Sequence, residues 1–378
     1  MTAKLRADYP WTSSPVIVNA PMAGFAGPPL ATAVTASGGI GMIGIVNDTA
    51  ALEAHLEDAS KIFSSSSPPP PPPSPHPSSS SPSTSSTSTS TSSPAASAFH
   101  QETHLLPIGV GLLLFALQTP APVLPALRRH PPALLWLFAA PSLSDYAVWT
   151  TTLRAALPNT KLWIQVGTPS AAAEVARTAA PDAIVLQGSD AGGHGFARGA
   201  SIVSLLPETA ALFAENGLST TPLVAAGGIV DGKGVAAALS LGAAGVVMGT
   251  AFLAARETTL HPAYRAAVLA ARDGAVATVR ATVFDELRGP NVWPDAYDGR
   301  ALATESYRDW VAGAEVGVLR ARVKEAVEGE DKGFAGRAPV WAGAGVGLVN
   351  EVRPAREIVM DVREGARSAL RAALDGIS

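Results

Sequence analysis

"PLVAAGGIVDGKGVAAALSLGAAGVVMGT", residues 222–250, reads as one repeating unit followed by the start of another. "PLVAA" is a short apolar run that stops at Gly227 and Gly228. An alanine-rich segment of helical character follows from about Asp231. "AGVVMG" is a second apolar run, ending on Gly249 and Thr250. An almost continuous apolar strand is one that must be covered on both faces. Strand, helix, strand in that order is the building unit of a parallel sheet.

The same unit recurs in both directions from this stretch. Apolar or β-branched runs lie at 16–20, 40–45, 106–111, 133–139, 161–166 and 182–187, and with 222–226 and 244–249 they make eight. Alanine-rich helical segments such as "PPLATAVTAS" and "SAAAEVARTAA" separate them; "TPAPVLPALRRH", with internal prolines, is the least regular. Eight strands with intervening helices close a TIM (β/α)8 barrel. An open doubly wound sheet is the other arrangement, and no G-x-G-x-x-G follows the first strand. The reading places a barrel over residues 1–257. A helical extension over 258–378 packs on its mouth and carries the proline- and aromatic-rich loop "LRGPNVWPDAYDGR".

One segment has no place in this pattern. Ser64 to Pro94 contains only Ser, Pro, Thr and one His, with ten of the chain's 32 prolines and no hydrophobic residue. It has nothing to bury against the entropy of ordering, so 64–98 is set apart as a disordered, low-complexity insertion in a surface loop.

Composition narrows the classes of function. Hydrophobic residues make up 47% and charged ones 15%, enough to build a large core. The net charge of −4 and the lack of a basic stripe argue against a nucleic-acid partner. No cysteine is present, which excludes disulfides, thiolate metal sites and cysteine nucleophiles. The start "MTAKLRADYPWTSSP" is not a signal peptide, and "LLPIGVGLLLFAL" is too short to span a bilayer. A cytoplasmic protein without a membrane partner is expected.

Active sites of such barrels form at the carboxyl ends of the strands. The loops after strands seven and eight commonly hold a phosphate, and here they carry Gly227, Gly228, Gly249 and Thr250. Glycines let the backbone approach phosphate oxygens, and helix-start N–H groups donate to them. Met248 closes the eighth strand beside them. The first strand ends in Ala20, Pro21 and Met22, a compact apolar wall suited to a flat ring system. The sixth runs into "LQGSDAGGHG", residues 186–195. Gln187 can hydrogen-bond a ring edge, Gly192 and Gly193 leave room for a planar ligand, and His194 projects from a loop over the mouth. His100 and His104 share helical spacing beside the insertion and read as exposed rather than metal-binding. Together the phosphate grip, the apolar wall and the histidine suggest FMN.

Three segments, "NAPMAGFAGPPLATAVTASGGIGMIG" at 19–44, "DAIVLQGSDAGGHGF" at 182–196 and 222–257, resemble the nitronate monooxygenase family. "VFDELRGPNVWPDAYDGRALATESY" is similar to its fungal branch. The resemblance implies an FMN-containing TIM barrel in which His194 faces the flavin as base or electrostatic partner. It assigns Gln187 to the cofactor site, Gly227, Gly228, Gly249 and Thr250 to the phosphate, and Ala20, Pro21 and Met22 to the underside of the ring. Gly109 and Gly111 depart from bacterial members, many of which end the third strand with Asn or Gln. The implied reaction is oxidation of an alkyl nitronate by O2 to a carbonyl compound and nitrite. The alternative is an NAD(P)H-dependent FMN reductase acting on a quinone or an enoyl thioester.

Overall fold

The computed structural model describes residues 2–64 and 93–377. In chain order its strands are β1 (Ile17–Asn19), β2 (Gly41–Gly44), β3 (Leu106–Leu113), β4 (Pro132–Phe138), β5 (Lys161–Val166) and β6 (Ala183–Gln187). They continue with β7 (Gly193–Phe196), β8 (Leu223–Ala226), β9 (Gly245–Met248), β10 (Thr278–Ala281) and β11 (Tyr297–Leu302). Eight of them form one parallel sheet in the order β1-β9-β8-β6-β5-β4-β3-β2. A parallel bridge between Val18 and Ile40 joins the two ends, so the sheet curls into the expected barrel. Every residue of β1, β2, β4, β8 and β9 is buried, as continuous apolar runs require.

The β1/β2 seam is short of backbone pairing, and a side chain completes it. Asn19 is fully buried. Its Nδ2 donates to the Met42 carbonyl at 2.9 Å, and its Oδ1 accepts from the Met42 amide at 2.9 Å. The side-chain amide thus takes the place of a ladder peptide and leaves no buried polar atom of Asn19 wanting.

Helices cover the outside, and their starts carry the residues that helix starts need. Thr168 caps Pro169–Thr178 by accepting from the Ala171 amide, and Asp231 caps Gly232–Ser240 through the Gly234 amide at 2.8 Å. The irregular third segment forms only the short helix Leu124–Arg129.

Three expectations are refined by the structure. The insertion set apart as 64–98 is narrower. Ser64 still belongs to the helix Thr49–Ser64, and a helix resumes at Pro94–Thr103, capped by Ser93. Residues 65–92, where disorder is expected, lie outside the described residues. The region after 257 is also not simply helical. Its strands β10 and β11 pair antiparallel, and β11 pairs with β7. The loop expected to present His194 is therefore a strand, with His194 opposite Gly299 and Gly193 opposite Arg300.

This three-stranded sheet ties the extension to the barrel mouth. Behind it, Val283, Phe284, Leu287, Ala301, Leu319 and Val323 form a small core of their own. The last helix, Ala355–Asp375, lies elsewhere, on the flank against Pro28–Ala36 and Gly232–Ser240. Arg363 anchors it by donating to the carbonyls of Ser37 and Gly38, and Gly232 and Gly365 let the helix backbones meet. Among the described residues no helix is long and apolar enough to cross a membrane.

Candidate active site

The strand ends and the extension together enclose a cavity of about 490 Å3. That size suits a cofactor-sized ligand. Its barrel side carries Ala20, Pro21 and Met22 after β1, Gln187 at the end of β6, and Gly227, Gly228, Gly249 and Thr250 after β8 and β9. Gly192, Gly193 and His194 also line it. Sites read from widely separated stretches of sequence thus meet in one cavity. Met248 is the exception. It is fully buried, holds the Ala20 amide through its carbonyl at 2.9 Å, and supports the wall from behind.

Close packing explains why small residues stand at these positions. A Cβ on Gly111 would lie 2.4 Å from Pro21 Cβ, and one on Gly44 would lie 2.5 Å from the Met22 carbonyl carbon. The β1 wall is therefore pressed onto β2 and β3, which accounts for the glycine at the end of β3. Gly227 and Gly228 have φ of +107° and +73°. A Cβ on Gly227 would come within 2.8 Å of the Gly188 carbonyl oxygen. The backbone turns sharply there and lies bare to the cavity.

The polar groups form a connected chain across four strands. Trp136 Nε1 donates to Gln165 Oε1 at 3.0 Å, and Gln165 Nε2 donates to Gln187 Oε1 at 2.8 Å. Gln187 Nε2 then donates to the His194 carbonyl at 3.0 Å. Gln187, expected to serve a ligand, thus spends its oxygen on Gln165 of β5 and one N–H on holding β7, with one N–H left over. Thr250 is likewise partly engaged. Its Oγ1 accepts from the Gly343 amide at 2.9 Å, leaving the hydroxyl proton free to donate.

His194 is held on several sides. Its Nε2 lies 2.7 Å from Asp285 Oδ1. Its ring stacks on Trp293 and touches Trp341 at a tilt. Asp285, Trp293, Trp341 and Gly343 all come from the extension, and sequence reasoning did not single them out. The one usable sign was the aromatic-rich loop at 287–300, whose partner in space could not be read from its own residues. Asp190, in the same stretch as His194, lies beside Arg300. Burial, then the neighbouring Arg280, works against the Arg300 charge, while Asp190 and Asp298 offset this. The Asp190 carbonyl accepts from the Ala344 amide at 2.9 Å, a further tie between barrel and extension. Among the described residues no group of His, Asp and Glu is arranged to hold a metal ion.

Known proteins resemble this chain to different degrees. The family profile described as nitronate monooxygenase matches residues 150–365. The nitronate monooxygenase npaC of Metarhizium robertsii is 38% identical, covering 98% of this chain and 98% of that protein. A nitronate monooxygenase of Neurospora crassa is 35% identical over 97% of this chain and 93% of that protein. Among solved structures, FabK from Thermotoga maritima superposes with a TM-score of 0.69 at 21% identity, covering 99% of both chains. A nitroalkane oxidase from Streptomyces ansochromogenes superposes with a TM-score of 0.65 at 22% identity, covering 98% of this chain and 99% of that one. Both structural likenesses speak to the fold.

Proposed function

The chain belongs to the nitronate monooxygenase family and is an oxidoreductase, and from that premise we propose that it oxidises alkyl nitronates with O2, giving a carbonyl compound and nitrite, with FMN held in the mouth cavity. The observation that carries this reading is the convergence of His194 with the bare glycine turns after β8 and β9 on one cavity.

The residues present fit a flavin mononucleotide. Side chains on Gly227 or Gly228 would enter space that the φ values and close contacts reserve for backbone. Gly227, Gly228, Gly249 and the free hydroxyl proton of Thr250 would hold the phosphate, with Met248 packed behind them. Ala20, Pro21 and Met22 would lie against the ring, with Gly193 giving it room, the Gly192 backbone beside it and Gln187 offering its remaining N–H. Bound there, FMN would supply the electron acceptor that O2 regenerates.

The chain's own work is binding, exclusion of water and proton handling. Met22, Phe138, Trp293 and Trp341 line the cavity with apolar surface, which strengthens any charge interaction inside it. A nitronate is an anion, and protonated His194 would hold it. Neutral His194 would instead take the α-proton of a nitroalkane.

The test is direct. FMN-loaded protein given ethylnitronate or propionate 3-nitronate under air should consume O2 and release nitrite. Nitrite no higher than that of a His194→Ala control would sink the assignment. Bleaching of the bound flavin by NADH, with nitronates inert, would instead favour the reductase.

A further inference from the structure

Asp285 is an expensive residue in its position. It lies in the helical turn Val283–Glu286, and its side chain is 7% exposed. One oxygen meets His194 Nε2 at 2.7 Å; the other, Oδ2, is buried and has no hydrogen-bond partner. A buried carboxylate oxygen left without a donor works against folding. The turn does not need the acid, because Val283, Phe284 and Leu287 anchor it in their own core. Arg320 holds it as well, donating to the Glu286 and Gly289 carbonyls at 2.6 and 2.8 Å. The carboxylate is therefore retained for what it does to His194.

The imidazole has little freedom. Its backbone pairs with Gly299, its carbonyl is held by Gln187, and its ring lies on Trp293. No hydrogen bond to Nδ1 is formed among the described residues. A carboxylate can only accept, so the proton of the Asp285 contact must sit on Nε2. When His194 is neutral, its lone pair is then on Nδ1.

We propose that Asp285 is the positioning residue that fixes His194 as the Nε2–H tautomer, making Nδ1 the one atom through which the histidine takes up a proton in the cavity. The meaning for catalysis rests on the proposed role of His194; the tautomer does not. In the reaction the C–H bond of a neutral nitroalkane breaks, its electron pair stays on the nitronate, and the proton moves to Nδ1. A preformed nitronate needs no such step.

The experiment uses the full-length protein labelled with nitrogen-15 histidine, with the His194 signals identified by their loss in His194→Gln. In neutral wild-type His194, Nε2 is expected to give the protonated, pyrrole-type resonance and Nδ1 the bare, pyridine-type one. Asp285→Ala should turn this into a mixture of tautomers. The isosteric Asp285→Asn, whose amide can donate as well as accept, should also lose the single pattern, and it serves if the alanine variant does not fold. Kinetically, Asp285→Ala or Asp285→Asn should lower kcat/KM for a neutral nitroalkane by roughly 100-fold more than for its preformed nitronate. A wild-type proton on Nδ1, or the same pattern in wild type and variants, overturns the proposal. If nitronates are not turned over at all, the functional reading fails while the tautomer pattern still decides the role of Asp285.

Discussion

The imidazole of His194 lies flat on the indole of Trp293, with ring centroids 3.7 Å apart and 8° between the planes. The two residues stand on different parts of the chain, one in β7 and the other in the loop before β11. Trp293 also meets Phe115, at 4.6 Å between centroids, and Phe138, at 6.2 Å, so it wedges between His194 and the ends of the barrel strands. A stacked pair of this kind contributes about 0.5–1.5 kcal/mol beyond its buried area. Trp293→Ala should therefore free the histidine ring and open the cavity to water. We expect kcat/KM for a nitronate to fall by about tenfold, with Trp293→Phe recovering much of the loss. Steady-state O2 uptake by the three proteins checks this. Equal activity in Trp293→Ala would mean that the stack has no part in placing His194.

Gly192 and Gly193 are neighbours with opposite constraints, and their alanine variants should separate them. A Cβ on Gly192 would lie 2.3 Å from the Ala342 carbonyl carbon, which is backbone and cannot rotate away. Gly193 has nothing within 4 Å, but its φ is +71°. Gly193→Ala should cost about 1–2 kcal/mol for the left-handed backbone alone. Gly192→Ala must push the extension off the barrel. It should lower Tm more than Gly193→Ala and also release bound flavin. Thermal unfolding with and without added FMN reads both effects, and a smaller loss in Gly192→Ala would contradict the contact.

These constraints also show what the sequence could and could not reveal. The eight barrel strands were legible because parallel strands covered on both faces are almost continuously apolar, as "AIVL" and "LVAA" are. The glycines after β8 and β9 were legible as lining of the mouth because they stand at the carboxyl ends of barrel strands. His194 was legible as a residue at the mouth, but not as part of a strand, since "GHGF" has little β-propensity and pairs with residues about a hundred positions away. Alternate residues of β11 are buried, and that period-two signal was present in "YDGRAL". Asp285 was beyond reach. A lone acid in a helical turn looks solvated until the fold brings a histidine to it, and Asn19 closes the barrel through a contact that no local pattern encodes.

Thr250 offers a test of the phosphate grip that does not depend on turnover. Its Oγ1 accepts from the Gly343 amide and keeps a proton to donate. Thr250→Val removes both. Leaving the buried Gly343 amide without an acceptor should destabilise the fold by about 1–3 kcal/mol. If the free proton serves the phosphate, the variant should bind FMN at least about tenfold more weakly, while riboflavin, which lacks the phosphate, should lose much less. Fluorescence titration with the two flavins measures the difference. Equal losses would place the phosphate elsewhere.

Stability should fall at high pH because buried tyrosines must stay protonated. Burial pushes Tyr297 from 10.0 up to about 12, and its hydroxyl donates to the Ala140 carbonyl at 3.2 Å. Burial also raises Tyr9, Tyr146 and Tyr264. A folded-state value above the unfolded one means that the folded protein holds its proton longer. The stabilisation is then complete below pH 10 and is lost as pH rises through 10 to about 12. For Tyr297 this amounts to something on the order of 2 kcal/mol. Denaturant unfolding at stepped pH should therefore show constant stability up to about pH 10 as far as these tyrosines contribute, and a steep decline beyond it. The ultraviolet signal of tyrosinate should rise together with unfolding rather than ahead of it. Tyr297→Phe should flatten part of that decline at the cost of the Ala140 hydrogen bond. A full tyrosinate signal from protein that is still folded would refute the burial of these hydroxyls.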